Sequence, residues 1–471
     1  MSILDRIQHP EANLYVIPRE EGMLVDALLF MSPELFEHAK GQQTDFFQQM
    51  INGASYPGVE FLGVMPDGHP GYGVPIGSVM VTDGVIVQAS VGYDINCGVL
   101  AVRTDLHARD VTDWDLRHEW IKAVAQRVDM GLGTHRPPLM PTYTDEMIHE
   151  IVHYGAHVFG AKPEQCERPN FAVAADYRTF DPFHLDGSFD RAKNQLGSLG
   201  KGNHFIEMQV DRDDGSVWVM VHCGSRNYGW NLANYYFHKG AEVRGIEDKK
   251  RQQSYLYVGE PMGQEFMNAH NAAANYAQAN RFAIAASVIE ALGETFGEGG
   301  EVYFDITHNL AQWEDVLQPD GTYQERLVQR KGATRAFPAG HPELSGTPWS
   351  EEGHPCLIPG SMYTGAAILR ATENAHDSAC TVNHGSGRAR GAKDTKRRFE
   401  DRREELTAEM NETVREFDGV PIKGVASNKP TLPLDECDRA YKPLDEVLET
   451  LEATGIARIE RRMYPVCNCK G

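Results

Sequence analysis

Asn383-His384-Gly385-Ser386-Gly387-Arg388 places a histidine at the mouth of a flexible Gly-Ser-Gly turn that an arginine closes. A neutral imidazole beside phosphate-cradling backbone N–H groups and fixed positive charge is a candidate nucleophile toward phosphorus. Three further histidines, His204, His222 and His308, and the stretch Asp94-Ile-Asn-Cys97 offer metal-ligand types elsewhere in the chain. A nucleophile, a phosphate cradle and metal ligands together point toward nucleotidyl transfer.

Asp94 and Cys97 put a carboxylate and a thiolate within one turn of each other, and a thiolate can bridge two cations; such mixed ligation suits Mn²⁺, Fe²⁺, Co²⁺ or Zn²⁺. Gly200-Lys-Gly-Asn203-His204-Phe205-Ile206-Glu207 sets glycines ahead of Asn-His, where backbone can approach an anion, with Glu207 able to orient a ligand. His222-Cys-Gly-Ser225-Arg226 ends a strand-like run in a turn suited to anions, and His308-Asn309 follows Asp305-Ile-Thr. Pro359-Gly360-Ser361-Met362-Tyr-Thr364-Gly is a further small-residue turn with two hydroxyls. Each histidine alone is more often a satisfied core residue than a ligand. Gly197-Ser-Leu-Gly-Lys201-Gly lacks both the spacing and the Ser/Thr of a Walker A loop.

These groups need elements to hold them. Residues 58–104 read as β structure, with 79–82 and 85–87 as two runs of a hairpin joined by Asp83-Gly84. Met65 to Gly77 is too rich in Gly and Pro for regular structure and reads as a packed loop. Val217 to His222 and Glu301 to His308 are short buried-strand patterns, each delivering a histidine at its end. Residues 114–128 read as a helix, 264–296 as one or two Ala-rich helices, and 394–417 as a charged helix whose apolar stripe is Phe399, Leu406, Met410 and Val414. No linker divides the chain, so the expectation is one α/β domain over 1–471, central β-sheets flanked by helices.

Composition bounds the partners. The net charge of 45 − 67 = −22 argues against general attraction to nucleic acid. Arg388 to Arg403, with eight Lys/Arg against Asp394, Glu400 and Asp401 (8 − 3 = +5), reads either as a solvated helix face or as a phosphate contact. The N-terminus has no signal-peptide pattern and no apolar run spans a bilayer, so a cytoplasmic protein without a membrane partner is expected. Eight unpaired-looking cysteines read as reduced thiols, Cys467-Asn-Cys469 being a weak soft-metal candidate.

In order along the chain, Pro66 to Gly77, Gly92 to Gly98, Gly202 to Glu207, His222 to Arg226, His308-Asn309, Pro359 to Met362, His384 to Arg388 and the terminal Lys470-Gly471 resemble the motifs of the RtcB-type RNA-splicing ligases. The resemblance runs from about residue 60 to the last. It implies an RtcB-like fold and a ligase that uses GTP and two Mn²⁺ ions to join an RNA 3′-phosphate or 2′,3′-cyclic phosphate end to a 5′-hydroxyl, in splicing or repair. His384 would be the catalytic nucleophile, forming a guanylyl-histidine. Asp94, Cys97 and His204 would hold one metal, and Cys97, His222 and His308 the other. Asn203, His204, Phe205, Ile206, Glu207, His308, Asn309, Pro359, Gly360, Ser361, Met362, His384, Gly385, Ser386, Gly387 and Lys470 would bind the nucleotide. Asp67 or His69 would assist end joining, and some family members use an archease-type activating partner.

The chain departs from the family pattern at Lys201, which would bring an extra cation toward the phosphates, at Cys223 and Asn227, and at Tyr363 and Ala366, where the pattern has Gly and Ser. Other readings of the same residues are guanylyl capping of 3′-phosphate ends on DNA or RNA, a metal-dependent phosphohydrolase, and a nucleic-acid-binding protein without catalysis.

Overall fold

The computed structural model describes residues 3–42, 44–133, 135–168, 170–176 and 178–471. Two large sheets organise it. A seven-stranded sheet runs Gln8–Glu11, Leu14–Ile17, Ala27–Phe30, Val59–Tyr72, Val74–Thr82, Tyr323–Lys331, Asn309–Leu317. The other runs Gly300–Thr307, Gly98–His107, Ser216–Cys223, Phe205–Asp211, Ala457–Lys470, Ala366–Ala371, Pro355–Pro359, with Ala426–Ser427 added beside Ala457–Lys470. Val79, Val81 and Val328 of the first sheet share a core with Cys356, Ile358, Ala367 and Leu369 of the second. Helices pack onto both sheets, giving the mixed α/β architecture expected. No described helix is long and apolar enough to cross a membrane.

The Ala-rich segment is a single helix, Pro261–Phe296, with Pro261 at its first turn and Gly297 closing it at φ +75°. It contributes side chains to two of the cores. Small alanines let it lie close to its neighbours, and its buried polar groups are spent on loops: Asn280 accepts from Gly197 N and donates to Ser198 O. The Trp114–Ala125 helix starts where Asp113 Oδ1 accepts from the N–H of Asp115 and Leu116.

Three expectations need correction. Met65 to Gly77 is not a loop but lies largely within the paired strands Val59–Tyr72 and Val74–Thr82. Between Val64↔Ser78 and His69↔Ile76 the first strand advances five residues and its partner two, so the Pro and Gly residues are absorbed in a bulge. Asp83-Gly84 does not close a hairpin, because Val74–Thr82 is already paired on both edges; Val85–Ile86 pairs with Leu256–Tyr257 instead. The charged helix breaks at Glu400–Arg402 and ends at Glu412, and Val414 is exposed at the start of a hairpin with Val420–Lys423.

Candidate metal and nucleotide site

Register brings the candidate ligands together at one end of the eight-stranded sheet. Thr307 faces Gly98, Gly98 faces Cys223, Val99 faces His222, His222 faces Phe205, and Phe205 faces Lys470. His308, Cys97, His222, His204 and Lys470 therefore sit at the ends of five neighbouring strands, and His308 N donates to Cys97 O at 2.9 Å. Between them Asn96 takes a left-handed φ of +54°. A Cβ on Gly224 would strike the Asp94 carboxylate, so glycine there keeps space for that side chain.

The ligand atoms fall into two sets that share one thiolate. Asp94, Cys97 and His204 form one set and Cys97, His222 and His308 the other, with the atoms of each within 4.8 Å of one another. Cys97 Sγ is 3.5 Å from His204 Nε2 and 3.2 Å from His222 Nε2, and His204 Nε2 is 3.0 Å from Asp94 Oδ2. His204 Nδ1 lies 2.9 Å from Leu199 O, which a protonated Nδ1 satisfies, leaving the Nε2 lone pair for a metal.

Electrostatics divide the cluster. Burial, then the neighbouring histidine His308, hold His222 well below the usual imidazole range; burial and His384 do the same to His308, so both imidazoles are neutral. Burial would raise Asp94, but the hydrogen bond and charge of His204, with Arg226, outweigh it and bring it down to about 2. Burial would lower His204, but Cys223, Cys97 and Asp94 hold it well above the usual imidazole range, so a cation taking Nε2 has to displace a proton there. Burial and Asp94 push the Cys97 thiol up to about 12, a cost that a cation reverses by taking the thiolate.

A cavity of about 450 Å³ opens beside this cluster. Its walls include Asn203, Phe205, Glu207, His308, Asn309, Pro359 to Met362, His384 to Gly387 and Lys470, all expected from sequence. Ile206 and His204 are not among the wall residues: successive strand residues face opposite ways, so Ile206 is buried in the core behind the sheet, and His204 lies buried against Asp94 and Cys97. Lys201 is exposed, and the cavity wall begins at Gly202. Tyr363 is engaged elsewhere, its ring beneath Arg415 at 4.4 Å and its hydroxyl 3.0 Å from Thr413 Oγ1.

The strand bulge at Met65–Gly68 delivers Asp67 to His384. Asp67 is fully buried, its Oδ2 accepts from His384 N at 3.1 Å and lies 2.5 Å from His384 Nδ1. The second contact has ion-pair distance without good hydrogen-bond direction, and among the described residues Nδ1 has no other partner. A Cβ on Gly387, at φ +70°, would collide with Asp67 O, so this approach demands glycine. His69, whose ring is 6.4 Å from that of His384, is lowered to about 3 mainly by burial.

Five wall residues escaped the sequence reading, Gly332 beside the His384 ring among them. Glu436 Oε2 accepts from Lys470 Nζ at 2.7 Å and from Tyr441 Oη at 2.9 Å. Asn468 Nδ2 donates to Glu207 Oε1 at 2.6 Å, while its buried Oδ1 has no partner among the described residues. Lys331 is buried in the wall, donating to Tyr72 O and Val74 O. Burial raises Glu207 to about 7 against the hydrogen bonds of Gln209 and Asn468 and the charge of Lys470.

The basic tract is largely self-neutralised. Arg388 pairs with Glu436, Lys396 with Asp435, Arg397 with Asp394, Arg402 with Glu405 and Arg403 with Glu400. Arg335 is buried on Gln312 and Glu167, and Arg226 on Ser198 and Gly131, so neither extends a basic face. All eight cysteines are free and buried, Cys467 and Cys469 within the core.

Comparison with known proteins places this site in context. A family model described as tRNA-splicing ligase RtcB matches residues 49–471. The chain is 32% identical to the tRNA-splicing ligase RtcB of Aeropyrum pernix, covering 97% of this chain and 98% of that protein. It is 33% identical to the tRNA-splicing ligase RtcB of Thermococcus kodakarensis, covering 97% of each. The RNA-splicing ligase RtcB of Mycobacterium bovis is 32% identical over 90% of this chain and the whole of that protein.

Proposed function

The chain belongs to the RtcB tRNA-splicing ligase family, and from that premise we propose that it is an RNA ligase that uses GTP and Mn²⁺ to join 3′-phosphate or 2′,3′-cyclic phosphate ends to 5′-hydroxyl ends through a guanylyl-histidine on His384. The observation that carries this reading is the meeting, in one cavity, of His384 backed by Asp67 with two ligand sets sharing Cys97.

Each residue has a task in this chemistry. Asp67 at 2.5 Å favours the tautomer with the proton on Nδ1, leaving the Nε2 lone pair of His384 as nucleophile. Attack on the α-phosphorus of GTP forms the N–P bond and breaks the bond to pyrophosphate. A 2′,3′-cyclic end is first opened by water, which breaks the P–O2′ bond and leaves a 2′-hydroxyl and a 3′-phosphate. A 3′-phosphate oxygen then takes the guanylyl group and frees the imidazole, and a 5′-hydroxyl oxygen attacks the activated phosphate and expels GMP. Asp94, Cys97, His204, His222 and His308 would hold the two cations, whose chemistry when bound is to neutralise charge on the phosphates. The glycine turn after His384, with the buried Ser386 Oγ that has no partner among the described residues, suits phosphate oxygens.

The base would lie at the Glu207–Asn468–Lys470 end, since two adjacent acceptors there repel phosphate. Two acceptors beside an ammonium match the N1–H, N2–H and O6 edge of guanine and mismatch adenine, whose N1 is an acceptor.

Incubation with Mn²⁺ and GTP radiolabelled at the α-phosphate, followed by denaturing electrophoresis, tests the proposal. An acid-labile label on the wild type that is lost in His384→Ala is expected, and RNA product analysis separates sealing from capping. No label with any nucleotide and divalent metal would overturn it.

A further inference from the structure

An RNA strand has to reach this cavity on a chain of net charge −22 whose basic tract is largely tied up in ion pairs. Electrostatic attraction is therefore weak, and something else has to hold the strand. The cavity's rim offers aromatic rings. Tyr72 and Tyr93, both in the cavity wall, have ring centroids 5.1 Å apart, and Tyr93 stacks on Trp230 at 5.6 Å and 23°. Trp230, near the start of the Arg226–Arg244 helix, is 45% exposed. Its support is rigid: Tyr93 N donates to Tyr72 Oη at 2.9 Å, and Phe237 packs against Tyr93 at 4.8 Å. Immediately before Asp94, a stiff aromatic pair thus presents an open face to solvent.

Across Tyr72 lies a second cavity of about 320 Å³ that shares Tyr72 as a wall. Amides, two lysines and one carboxylate line it, among them Gln48, Asn52, Gln252, Lys249, Lys250 and Asp45. Lys249 pairs with Glu247, whereas Lys250 is exposed and, among the described residues, has no carboxylate at ion-pair distance. Amide donors with one free cation suit sugar hydroxyls and phosphates, and an exposed indole suits an unstacked base of any identity.

We propose that this rim is the docking surface for the RNA strand whose end reacts: a base next to the reacting end stacks on Trp230, and the backbone runs past Tyr72 into the groove at Lys250. The proposal rests on the ligase reading, and it commits to a single strand because the platform is continuous with the wall of the reaction cavity.

The test uses the full chain with two readouts: fluorescence anisotropy with a single-stranded RNA bearing a 3′-phosphate, and guanylylation of His384 without RNA. Trp230→Ala is expected to weaken RNA binding about 5- to 150-fold while guanylylation stays at the wild-type rate, and Trp230→Phe to restore most of the affinity. RNA abasic at the nucleotides nearest the 3′-phosphate should lose the same affinity on wild type and no more on Trp230→Ala. Lys250→Ala should lower the slope of log affinity against log salt by about one. Wild-type RNA affinity in Trp230→Ala, or equal binding of abasic and intact RNA, overturns the proposal. So does a change of oligomeric state in Trp230→Ala with RNA binding unmoved, which would assign the face to a second copy of the chain. Absence of label on wild-type His384 would instead strike the ligase reading, which the anisotropy experiment does not depend on.

Discussion

Arg281 and Cys97 lie on either side of the same Asn96 turn, and both are buried, yet their surroundings differ in kind. The Arg281 guanidinium donates to both oxygens of Asp305 at 2.5 and 2.9 Å, to Asn96 O and Oδ1, and to Cys223 O. Arg330 grips Glu314 through two hydrogen bonds in the same way. Charge there is cancelled and hydrogen-bonding capacity used. Around Cys97 the atoms that converge are acceptors and lone pairs: a thiol, a carboxylate and three imidazoles. A fold gains no stability from crowding such atoms unless a cation joins them. The satisfied region holds the turn still; the unsatisfied one is shaped for something the chain binds.

The largest expected effect comes from removing the shared ligand. Cys97→Ser should lower the rate of His384 labelling by at least about a thousandfold, about 4 kcal/mol in the barrier, while the metal-free protein keeps its denaturation midpoint. Mn²⁺ should raise the thermal midpoint of the wild type and leave that of Cys97→Ser in place. A variant that still gains stability from Mn²⁺ would break the comparison, since it would put the ion elsewhere.

In the satisfied region the order reverses, with stability falling first. Asp305→Asn strands the Arg281 charge, and about 3–5 kcal/mol should be lost in urea unfolding. Replacing both partners, Arg281→Met with Asp305→Leu, removes the stranded charge but leaves the Asn96 and Cys223 oxygens without their donor, so it should recover only part of that loss while freeing the Asn96 turn and weakening Mn²⁺ binding. If the double variant bound Mn²⁺ like the wild type, Arg281 would be a core ion pair with no part in placing Cys97.

A histidine outside the cluster sharpens the contrast further. Burial, partly offset by Asn271, lowers His270 to about 4, and its Nε2 accepts from Ala311 N at 3.2 Å. The unfolded chain binds the proton more tightly between about pH 6.5 and 4, so stability from this residue is full above 6.5 and falls as pH drops through that window. At pH 5 the loss is about 2 kcal/mol. Between pH 7.5 and 5 the unfolding free energy of the wild type, from urea melts, should fall by about that much more than that of His270→Gln, with Mn²⁺ present or absent.

How much of this was legible before the structure depended on range. The strand patterns ending in His222 and His308, the Ala-rich helix and the ligand motifs were readable because each is a local run with its own periodicity or spacing. The bulge that carries Asp67 to His384 was not, because Pro66 and Gly68 suppress the strand signal that their neighbours maintain. Glu436 and Tyr441 sit in a stretch of short turns without a motif, and only tertiary packing brings them to Lys470. Asn468 did leave a signal. Cys467 and Cys469 face the core, so the alternation along the strand puts Asn468 on the same face as Lys470, opposite Glu207.

That residue supplies the smallest and most selective effect. Asn468 and Gln209 each donate to Glu207, and among the described residues each leaves a buried amide oxygen unpartnered, but only Asn468 belongs to the cavity wall. An acceptor that a fold leaves unpaired beside a binding cavity carries a desolvation cost that a ligand N–H removes. With the base placed here, the guanine 2-amino group is that ligand. Inosine triphosphate, which lacks it, should label His384 about tenfold less efficiently than GTP, a difference of about 1.4 kcal/mol. Asn468→Ala should lower labelling by GTP and leave labelling by inosine triphosphate nearly unchanged, so that the ratio collapses toward one. A ratio that survives in Asn468→Ala would move the 2-amino contact to another group and class the Asn468 oxygen with that of Gln209, as an unpaired atom without a ligand.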